Sequence, residues 1–261
     1  MSALKPVTLI TGASAGIGSK LAVTFAAHGH DLVLVARRAA PLAELGREIA
    51  EEWGIKPQIV TADLTRADAP AHIASELRAR GLEPNVVVNN AGFGLFGPAM
   101  ELDRAEQLAI IDLNVRALTD LSLRFIDSLT RHRGGILNVA SVASFMPGPE
   151  MAVYYATKAY VLSFSEALHH ELKPRGVRVT ALCPGPVATE FQARANMPVG
   201  QFSTGFDRPA DRISDAGYKG LMAGRRVVLP GKHTHILSML PRFAPRRVVL
   251  AAMERLLKRK P

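Results

Sequence analysis

Tyr154 and Lys158, four residues apart, are the pair in this sequence best suited to acid–base chemistry. They lie in an apolar segment with helical spacing, so their side chains share one face, whereas Tyr155 points about 100° away from Tyr154. A tyrosine hydroxyl, with a pKa of about 10, exchanges protons poorly at neutral pH unless a nearby ammonium stabilises its phenolate. The spacing predicts that Lys158 lowers the pKa of Tyr154, which then acts as proton donor and acceptor. Tyr155 and Tyr160 are predicted to be packing residues.

A serine and an asparagine add specificity to this pattern, which amphipathic helices also produce by chance. Ser141 precedes Tyr154 by 13 residues and follows the aliphatic segment "GILNVA", where its hydroxyl can hydrogen-bond a substrate carbonyl oxygen. Ser144 is a rival that lies further into the next loop. Asn114 is a poor helix former inside the helical pattern "IIDLNVRAL", which indicates that its amide binds something outside its own turn. An ordinary surface or core amide explains Asn114 equally well.

The segment "TGASAGIG" places a glycine-rich turn between a short aliphatic segment and a helical pattern. At such a turn, backbone N–H groups and a helix N-terminus bind a pyrophosphate. The residues concerned are Gly12, Ser14, Gly16, Ile17 and Gly18. Their spacing is G-x-x-x-G-x-G rather than the G-x-G-x-x-G of the common dinucleotide fingerprint. We interpret the segment as a phosphate-binding turn, with an ordinary strand-to-helix turn as the alternative.

The end of the second aliphatic segment, "VARR", predicts which nicotinamide cofactor binds. An NAD site places Asp or Glu about 20 residues beyond the glycines to bind the ribose 2′-OH, whereas an NADP site uses arginine for the 2′-phosphate. Arg37 and Arg38 occupy this position, and no acid does. The sequence therefore favours NADP(H), with a solvated pair of loop charges as the alternative.

Two further segment ends carry residues suited to the same cofactor. Asp63, followed by Leu64, ends the third aliphatic segment, where its carboxylate can accept a hydrogen bond from an adenine amine. Asn90, Ala91 and Gly92 belong to "NNAG" at the end of the fourth. Open α/β sheets bind ligands at the carboxyl ends of their strands, so we expect these five residues near the cofactor.

Short aliphatic or β-branched segments alternate with longer helical patterns along the chain, one of which runs from residue 103 to about residue 133. The predicted strands are residues 7–10, 31–36, 58–62, 85–90, 135–140, 177–183 and 226–230. Near-continuous apolar strands suit a sheet covered on both faces, and right-handed crossovers make it doubly wound. The predicted class is α/β: a single-domain, Rossmann-type, doubly wound, mostly parallel sheet of about seven strands with helices on both faces.

Composition excludes several other classes of protein. The 261 residues are 48% hydrophobic and 21% charged, and no apolar run approaches the roughly 18 residues of a membrane-spanning helix. The N-terminus carries no export pattern, and Cys183 is the only cysteine. We expect a cytoplasmic protein with no disulfide and no metal site.

The net charge of +9 lies in the C-terminal segment. Residues 225–261 contain ten Lys and Arg and one acid, Glu254, leaving 22 basic and 22 acidic residues before them. A neutral body argues against nucleic-acid binding. The last predicted helix carries an apolar stripe made of Val249, Met253, Leu256 and Leu257. The stripe predicts either peripheral contact with an anionic membrane or a docked terminal helix with a solvated outer face.

The glycine turn, "NNAG", Asn114, Ser141, Tyr154 and Lys158 together resemble the classical short-chain dehydrogenase/reductase family, over about residues 5–230. The resemblance implies that the residues matching Ser141, Tyr154 and Lys158 are catalytic, and that the residue matching Asn114 holds a water in a proton relay. It implies cofactor contacts for Tyr154 and Lys158, for the glycine turn, and for Pro184, Gly185, Val187 and Thr189 beside the nicotinamide.

The resemblance also implies an activity. Hydride passes between NADPH and a carbonyl or alcohol carbon, with Tyr154 as the general acid/base and Ser141 holding the oxygen. Similarity of "VARR" and "NNAGFG" to a subgroup that includes 3-oxoacyl and hydroxysteroid reductases favours a lipophilic ketone or 3-oxoacyl substrate. The alternative is a catalytically silent NADP-binding redox sensor or scaffold protein, although such proteins have typically lost the tyrosine or the lysine.

A domain of residues 1–230 is expected to bind NADP and catalyse, and residues 231–261 to extend it as a basic helix. Within it, residues 188–224 are expected to close over the nicotinamide. Candidates for an apolar substrate pocket, for which simple packing is the alternative, are Phe93, Phe96, Phe145, Phe191, Met197, Phe202 and Phe206. A homodimer or homotetramer is expected from the resemblance.

Overall fold

Seven parallel strands form one sheet in the computed structural model, which describes residues 4–187, 189–198 and 209–257. The strands are β1 (Lys5–Thr11), β2 (Leu32–Ala36), β3 (Gln58–Thr61), β4 (Leu82–Asn89), β5 (Gly135–Val139), β6 (Arg178–Leu182) and β7 (Val227–Val228). Their order is β3-β2-β1-β4-β5-β6-β7, and each neighbouring pair is parallel. The predicted α/β class, Rossmann-type topology and strand number are confirmed.

Helices connect the strands and cover both faces of the sheet. They are α1 (Gly16–Ala27), α2 (Ala39–Trp53), α3 (Ala69–Ala79), α4 (Arg104–Ile111), α5 (Leu118–Arg124), α6 (Ile126–Arg131), α7 (Ala152–Leu172), α8 (Glu190–Arg194), α9 (Ala210–Met222), α10 (Lys232–Phe243) and α11 (Arg246–Leu257). Within the described residues, no helix is both long enough and apolar enough to cross a bilayer.

Two apolar layers, one on each face of the sheet, hold the strands in place. Consecutive strand residues point to opposite faces, so Leu9 and Val33 pack in one layer while Ile10 and Leu34 pack in the other. The first layer includes side chains from α3, α5, α6 and α7, and the second includes side chains from α1, α2 and α9. Burial on both faces explains why the strands read as continuous apolar runs in the sequence.

A buried chain of amides and hydroxyls links the sheet to two helices. Asn89 Nδ2 on β4 donates to Asn138 Oδ1 on β5 and to Ser122 Oγ on α5, each at 2.9 Å. Asn138 Nδ2 in turn donates to Ser165 Oγ on α7 at 2.9 Å. Buried polar groups need such partners, so these bonds fix α7, which carries the tyrosine–lysine pair, against β5.

Two expectations about the elements are wrong in part. The helix predicted over 103–133 is divided, because a π-helical turn, Asp112–Ala117, joins α4 to α5, and Phe125 separates α5 from α6. The second half of the segment 188–224 forms α9, which packs against α1 and β6 instead of closing over a site. The ring of Tyr160, a predicted packing residue, stacks on the Phe164 ring, although the residue is 39% exposed.

Two glycine substitutions give opposite predictions for stability. A Cβ on Gly134 would lie 1.8 Å from Asn85 O, a backbone atom of the neighbouring β4, so Gly134→Ala should lower the free energy of unfolding by about 1–3 kcal/mol. In α2, a Cβ on Gly46 would make an ordinary 3.7 Å contact with Ile59 Cδ1. Gly46→Ala should therefore raise that free energy by about 0.5–1 kcal/mol. Urea unfolding measures both, and equal midpoints for the two variants would contradict this packing.

Candidate active site

A cavity of about 490 Å³ opens at the carboxyl ends of the strands. The strand order reverses between β1 and β4, which is where open α/β sheets bind ligands. The predicted site residues that line the cavity are Gly12, Ser14, Gly16, Ile17, Arg37, Arg38, Asp63, Leu64, Asn90, Ala91, Gly92, Ser141, Tyr154, Lys158, Pro184, Gly185, Val187 and Thr189. The predicted residues Gly18 and Asn114 lie behind its wall.

The glycine turn offers a backbone surface that fits a pyrophosphate. Gly12 and Gly16 have φ angles of 65° and 59°, in the left-handed region that glycine adopts without strain. A Cβ on Gly18 would lie 2.1 Å from Gly12 O, so only glycine lets α1 begin this close to the turn. The N-cap of α1, Ala15, provides no side-chain hydrogen bond, which suits an anionic ligand at that helix end.

Two of the predicted cofactor residues form hydrogen bonds with neighbouring parts of the chain at the cavity wall. Asn90 Nδ2 donates to Thr11 O at 2.9 Å and to Gly12 O at 3.1 Å, so this side chain positions the glycine turn. Asp63 Oδ1 accepts hydrogen bonds from Thr65 N and Thr65 Oγ1, at 3.1 and 2.8 Å. These bonds hold the carboxylate of Asp63 at the cavity wall in a fixed orientation.

Arg38 forms an ion pair that the sequence analysis did not foresee. Its Nη2 lies 2.8 Å from Glu190 Oε2 and 3.4 Å from Ser14 Oγ, and both charged side chains are more than half exposed. The pair joins the end of β2 to α8, and all three residues line the cavity. Only the fold brings together residues 152 positions apart in the chain.

The ammonium of Lys158 is buried at the end of β5. Only 5% of the residue is exposed, and Nζ donates to Val139 O at 2.7 Å. Burial disfavours the charged form and lowers the pKa of Lys158 to about 8. The ammonium also lies 5.8 Å from the centre of the Tyr154 ring. The predicted proximity of lysine and tyrosine on one helix face is therefore present.

The pKa of Tyr154 differs from the sequence-based expectation. Burial of the hydroxyl raises the pKa to about 12, and a hydrogen bond with the Ser141 side chain offsets part of this rise. The predicted lowering by Lys158 is therefore wrong for this structure, because desolvation of the phenolate is the larger effect. Tyr154 holds a phenol proton at neutral pH, as a proton donor requires.

Of the two candidate serines, Ser141 faces the cavity. Its Oγ accepts a hydrogen bond from Ala143 N at 3.1 Å, at the start of a short 3₁₀ turn, Val142–Phe145. The hydroxyl of Ser144 is buried and donates to Lys158 O at 2.7 Å, which ties the turn to α7. Ser141 can therefore bind a ligand oxygen, whereas Ser144 positions the helix.

Asn114 is buried and fully engaged in the π-helical turn. Its Oδ1 accepts from Phe93 N at 3.2 Å, and its Nδ2 donates to Phe93 O at 3.0 Å and to Thr157 Oγ1 at 3.1 Å. The expectation that the amide binds something outside its own turn is confirmed. The side chain joins the strand-end loop to α7, so it positions residues around Lys158; its role in a water relay stays a prediction.

Apolar side chains cover the cavity around Tyr154. The ring of Phe191, on α8, lies 5.2 Å from the Tyr154 ring, between centroids. Met151, Tyr155 and Met197 line the cavity in the same apolar cluster as Tyr154 and Phe191, and Phe93 lines the cavity as well. Phe96 and Phe145 instead pack inside the protein, against α11 and β6 respectively, while Phe202 and Phe206 lie outside the described residues.

In the part of the chain that the structure describes, no group of His, Cys, Asp or Glu is placed to hold a metal ion.

This fold and site define a dinucleotide-binding α/β protein with a tyrosine, a lysine and a serine at the ligand end of its sheet. The family model for short chain dehydrogenases matches residues 6–199, and the chain belongs to this family. The predicted resemblance is confirmed. Members of the family are oxidoreductases that act on carbonyl or alcohol groups with a nicotinamide cofactor.

Relatives and solved structures place the chain among enzymes with different substrates. It is 36% identical over 193 residues to 17-beta-hydroxysteroid dehydrogenase type 3 of Rattus norvegicus, covering 72% of this chain and 62% of that protein. It is 34% identical over 191 residues to sulfoacetaldehyde reductase 2 of Chromohalobacter salexigens, covering 72% and 75%. A short-chain dehydrogenase from Sphingobium yanoikuyae in complex with NADPH superimposes with a TM-score of 0.80, at 36% identity, covering 87% and 88%.

The buried ammonium predicts how stability depends on pH. The unfolded chain keeps Lys158 protonated up to about pH 10.5, whereas the folded protein releases this proton near pH 8. The unfolded state then binds more protons between these values, so the contribution of Lys158 to the free energy of unfolding rises with pH there. Urea unfolding from pH 7 to pH 10 should show wild type gaining stability relative to Lys158→Met. Exposed Lys56→Met is the matched control, and parallel curves for wild type and Lys158→Met would contradict the prediction.

Proposed function

We propose that the protein is an NADP-dependent reductase of lipophilic ketones or 3-oxoacyl compounds, with Tyr154 as general acid/base. The observation that carries this proposal is the placement of the Tyr154 hydroxyl beside Ser141, with the buried Lys158 ammonium nearby. This arrangement can hold a carbonyl oxygen and donate a proton to it, inside a cavity whose other end fits a dinucleotide.

The proposed mechanism assigns proton transfer and orientation to these side chains. A bound nicotinamide supplies hydride transfer to or from carbon. Ser141 Oγ orients the substrate oxygen by a hydrogen bond, and Tyr154 Oη donates its proton to this oxygen as negative charge develops on it. The Lys158 ammonium, close to the ring, stabilises the phenolate that remains. Val139 O holds the ammonium in position.

The pKa values describe the protonated state from which reduction begins. A tyrosine with a pKa of about 12 stays protonated at neutral pH and can donate to a developing alkoxide, whereas oxidation needs the phenolate as a base. Lys158, with a pKa of about 8, remains mostly protonated at neutral pH and supplies the positive charge that the phenolate requires. Both pKa shifts come mainly from burial.

Two arginines support NADP as the cofactor. Arg37 and Arg38 follow β2 and line the cavity, where an NAD site would carry an acid for the ribose 2′-OH. A guanidinium binds a 2′-phosphate through charge and paired N–H groups. The NADPH complex of the Sphingobium yanoikuyae relative gives further support.

The cavity wall, rather than the relatives, favours a lipophilic substrate. One relative is named for a hydroxysteroid and another for sulfoacetaldehyde, so family membership alone does not select between apolar and charged substrates. In this chain Phe191, Met151 and Met197 pack in one apolar cluster with Tyr154, and burying an apolar ligand surface against them is favourable by about 25 cal/mol per Å². The guanidinium of Arg194, which also lines the cavity, lies over the Phe93 ring and forms an ion pair with Glu106.

A catalytically silent NADP-binding sensor or scaffold is the second candidate. Retention of Tyr154 and Lys158 in one constrained cluster argues against it, since a sensor needs neither proton transfer nor a buried ammonium. The domain boundaries at 230 and 231, and a homodimer or homotetramer, stay predictions.

Removing one hydroxyl from either of the adjacent tyrosines tests the proposed acid/base. Tyr154→Phe should lower kcat for NADPH-dependent ketone reduction by about 100-fold or more, because general acid catalysis typically contributes that much, while NADPH still binds. Tyr155→Phe removes the same group from the neighbouring position and should keep kcat within about threefold. Steady-state assays across aldehydes, cyclic ketones, steroids and 3-oxoacyl thioesters give both values and name the substrate class.

The opposite ranking would assign the acid/base to Tyr155. Tight NADPH binding with no turnover by wild type on every substrate in this series would favour the sensor instead.

The ion pair between Arg38 and Glu190 gives a separate test of the cofactor. Glu190 competes with a 2′-phosphate for Arg38, so Glu190→Gln should tighten NADPH binding by about two- to fivefold, the range expected for an exposed ion pair, and leave NADH binding unchanged. Glu106→Gln is the matched control, because it breaks the other ion pair of α8, with Arg194. Fluorescence titration measures both cofactors. Tighter binding of NADH than of NADPH by wild type would contradict the NADP assignment.

A further inference from the structure

Helix α10 turns its large apolar side chains toward solvent and its small polar ones inward. Thr234 and Ser238 are 7% and 4% exposed. The large apolar residues on the outer side, with their exposed fractions, are Ile236 (58%), Leu237 (42%), Met239 (53%), Leu240 (57%) and Phe243 (81%). We call these five residues the α10 face. Surface helices of globular proteins normally have the reverse arrangement.

The inward side of α10 is held by local and close contacts. Thr234 Oγ1 donates to Pro230 O and Gly231 O, at 2.7 and 2.6 Å, and Ser238 Oγ donates to His235 O at 2.8 Å. A Cβ on Gly185, which lines the cavity, would lie 3.0 Å from Thr234 Cγ2. The inward hydroxyls are therefore satisfied within α10 and its first turn, and this small, polar side packs closely beside Gly185 and the 3₁₀ turn, which leaves the α10 face toward solvent.

Helix α11 follows the ordinary arrangement, which is the docked helix of the two alternatives that the sequence left open. Val249, Met253 and Leu257 are buried against Met151 and Tyr155 in the apolar cluster beside the cavity. A fourth member of the predicted stripe, Leu256, is 57% exposed. Three of the four stripe residues therefore form the inner surface of a docked helix. Val248 and Leu250 are exposed as well, but the larger set of exposed apolar side chains lies on the preceding helix.

The charge around the α10 face favours an anionic occupant. Lys232 at the start of α10 and Arg246 and Arg247 just beyond its end are exposed. Residues 225–261 contain ten Lys and Arg and one acid, whereas the rest of the chain is neutral. Two copies of this chain that met through the α10 face would bring two such basic segments together, which like-charge repulsion opposes.

We propose that the α10 face lies in the interfacial layer of an anionic lipid bilayer, with the flanking basic side chains against the headgroups. Apolar side chains on one face and basic residues around them are the features of helices that lie in a membrane surface without crossing it. Each Lys or Arg near an anionic surface strengthens binding by about fivefold, and the apolar contacts add to this. A second copy of the chain is the competing occupant of the same face.

Membrane contact at the α10 face would bring lipids close to the cavity. Helix α10 packs on the 3₁₀ turn that follows Ser141, and α11 packs on Tyr155. A substrate dissolved in the bilayer would then have a short path to the candidate active site. The lipid contact itself does not depend on the proposed reductase activity, because it rests on α10 and its surroundings alone.

Vesicle co-sedimentation of the full chain tests the lipid contact without substrate or cofactor. Wild type should sediment with vesicles of phosphatidylcholine and phosphatidylglycerol at low salt, less at high salt, and not with phosphatidylcholine alone. Leu240→Ser combined with Phe243→Ser should lower the partition coefficient by about 100-fold, since the loss of each buried apolar side chain weakens binding by about tenfold.

Matched variants separate this face from general surface effects. Met100→Ser combined with Leu123→Ser removes two exposed apolar side chains elsewhere and should leave binding unchanged. Arg246→Gln with Arg247→Gln should weaken binding and its salt dependence, whereas Arg47→Gln with Arg78→Gln, the same change of charge on α2 and α3, should not. Thermal unfolding of each variant verifies that it is folded.

Three results would overturn the proposal. These are no sedimentation of wild type with anionic vesicles at low salt, wild-type binding by the Leu240→Ser, Phe243→Ser variant, and a wild-type dimer that the same variant converts to a monomer in light scattering. The last result would assign the α10 face to a second copy. Lipid binding by a protein that reduces no carbonyl would disprove the proposed function and leave this inference intact.

Discussion

The buried ammonium of Lys158 is the constraint on which the site depends. A charged group this enclosed is stable only if its N–H groups find acceptors and its position is fixed. Val139 O supplies an acceptor at the end of β5, and the hydroxyl of Ser144 binds the backbone of Lys158 itself. Because β5, the following turn and α7 must all meet at this residue, the same contacts bring Ser141 and Tyr154 together at the mouth of the cavity.

Burial shifts the two titratable groups of the pair in opposite directions, to about 8 for the lysine and about 12 for the tyrosine. At neutral pH the pair is therefore a neutral phenol beside an ammonium. Any negative charge that forms on the phenol oxygen then arises in a site of low polarity that already contains one positive charge, where attraction is stronger than in water. Desolvation keeps the proton on Tyr154 at neutral pH, and the nearby ammonium stabilises the charge that its transfer leaves behind.

The sequence predicts those features that depend on local pattern. The sheet and the cavity-lining residues were predicted correctly. They follow from strand periodicity, the glycine turn and the spacing of Ser141, Tyr154 and Lys158, each of which depends on neighbours in the chain. Two contacts between distant residues were missed, the pairing of Arg38 with Glu190 and the packing of α9 on α1. The direction of the pKa shift of Tyr154 was missed as well. These depend on which surfaces the fold brings together and how much water it removes, and spacing contains neither quantity.

The two C-terminal helices show how a departure from local rules carries information. In α11 three of the four residues of the apolar stripe are buried, so pattern and fold largely agree. In α10 pattern and fold disagree, since the inner face is small and polar while Phe243, the largest apolar side chain of the helix, is 81% exposed. In most of this chain the sequence pattern and the fold agree on which side chains are buried. Where they disagree, as in α10, a surface outside the chain can cover the exposed apolar side chains. The excess basic charge of the same segment indicates that the surface that covers the α10 face is anionic.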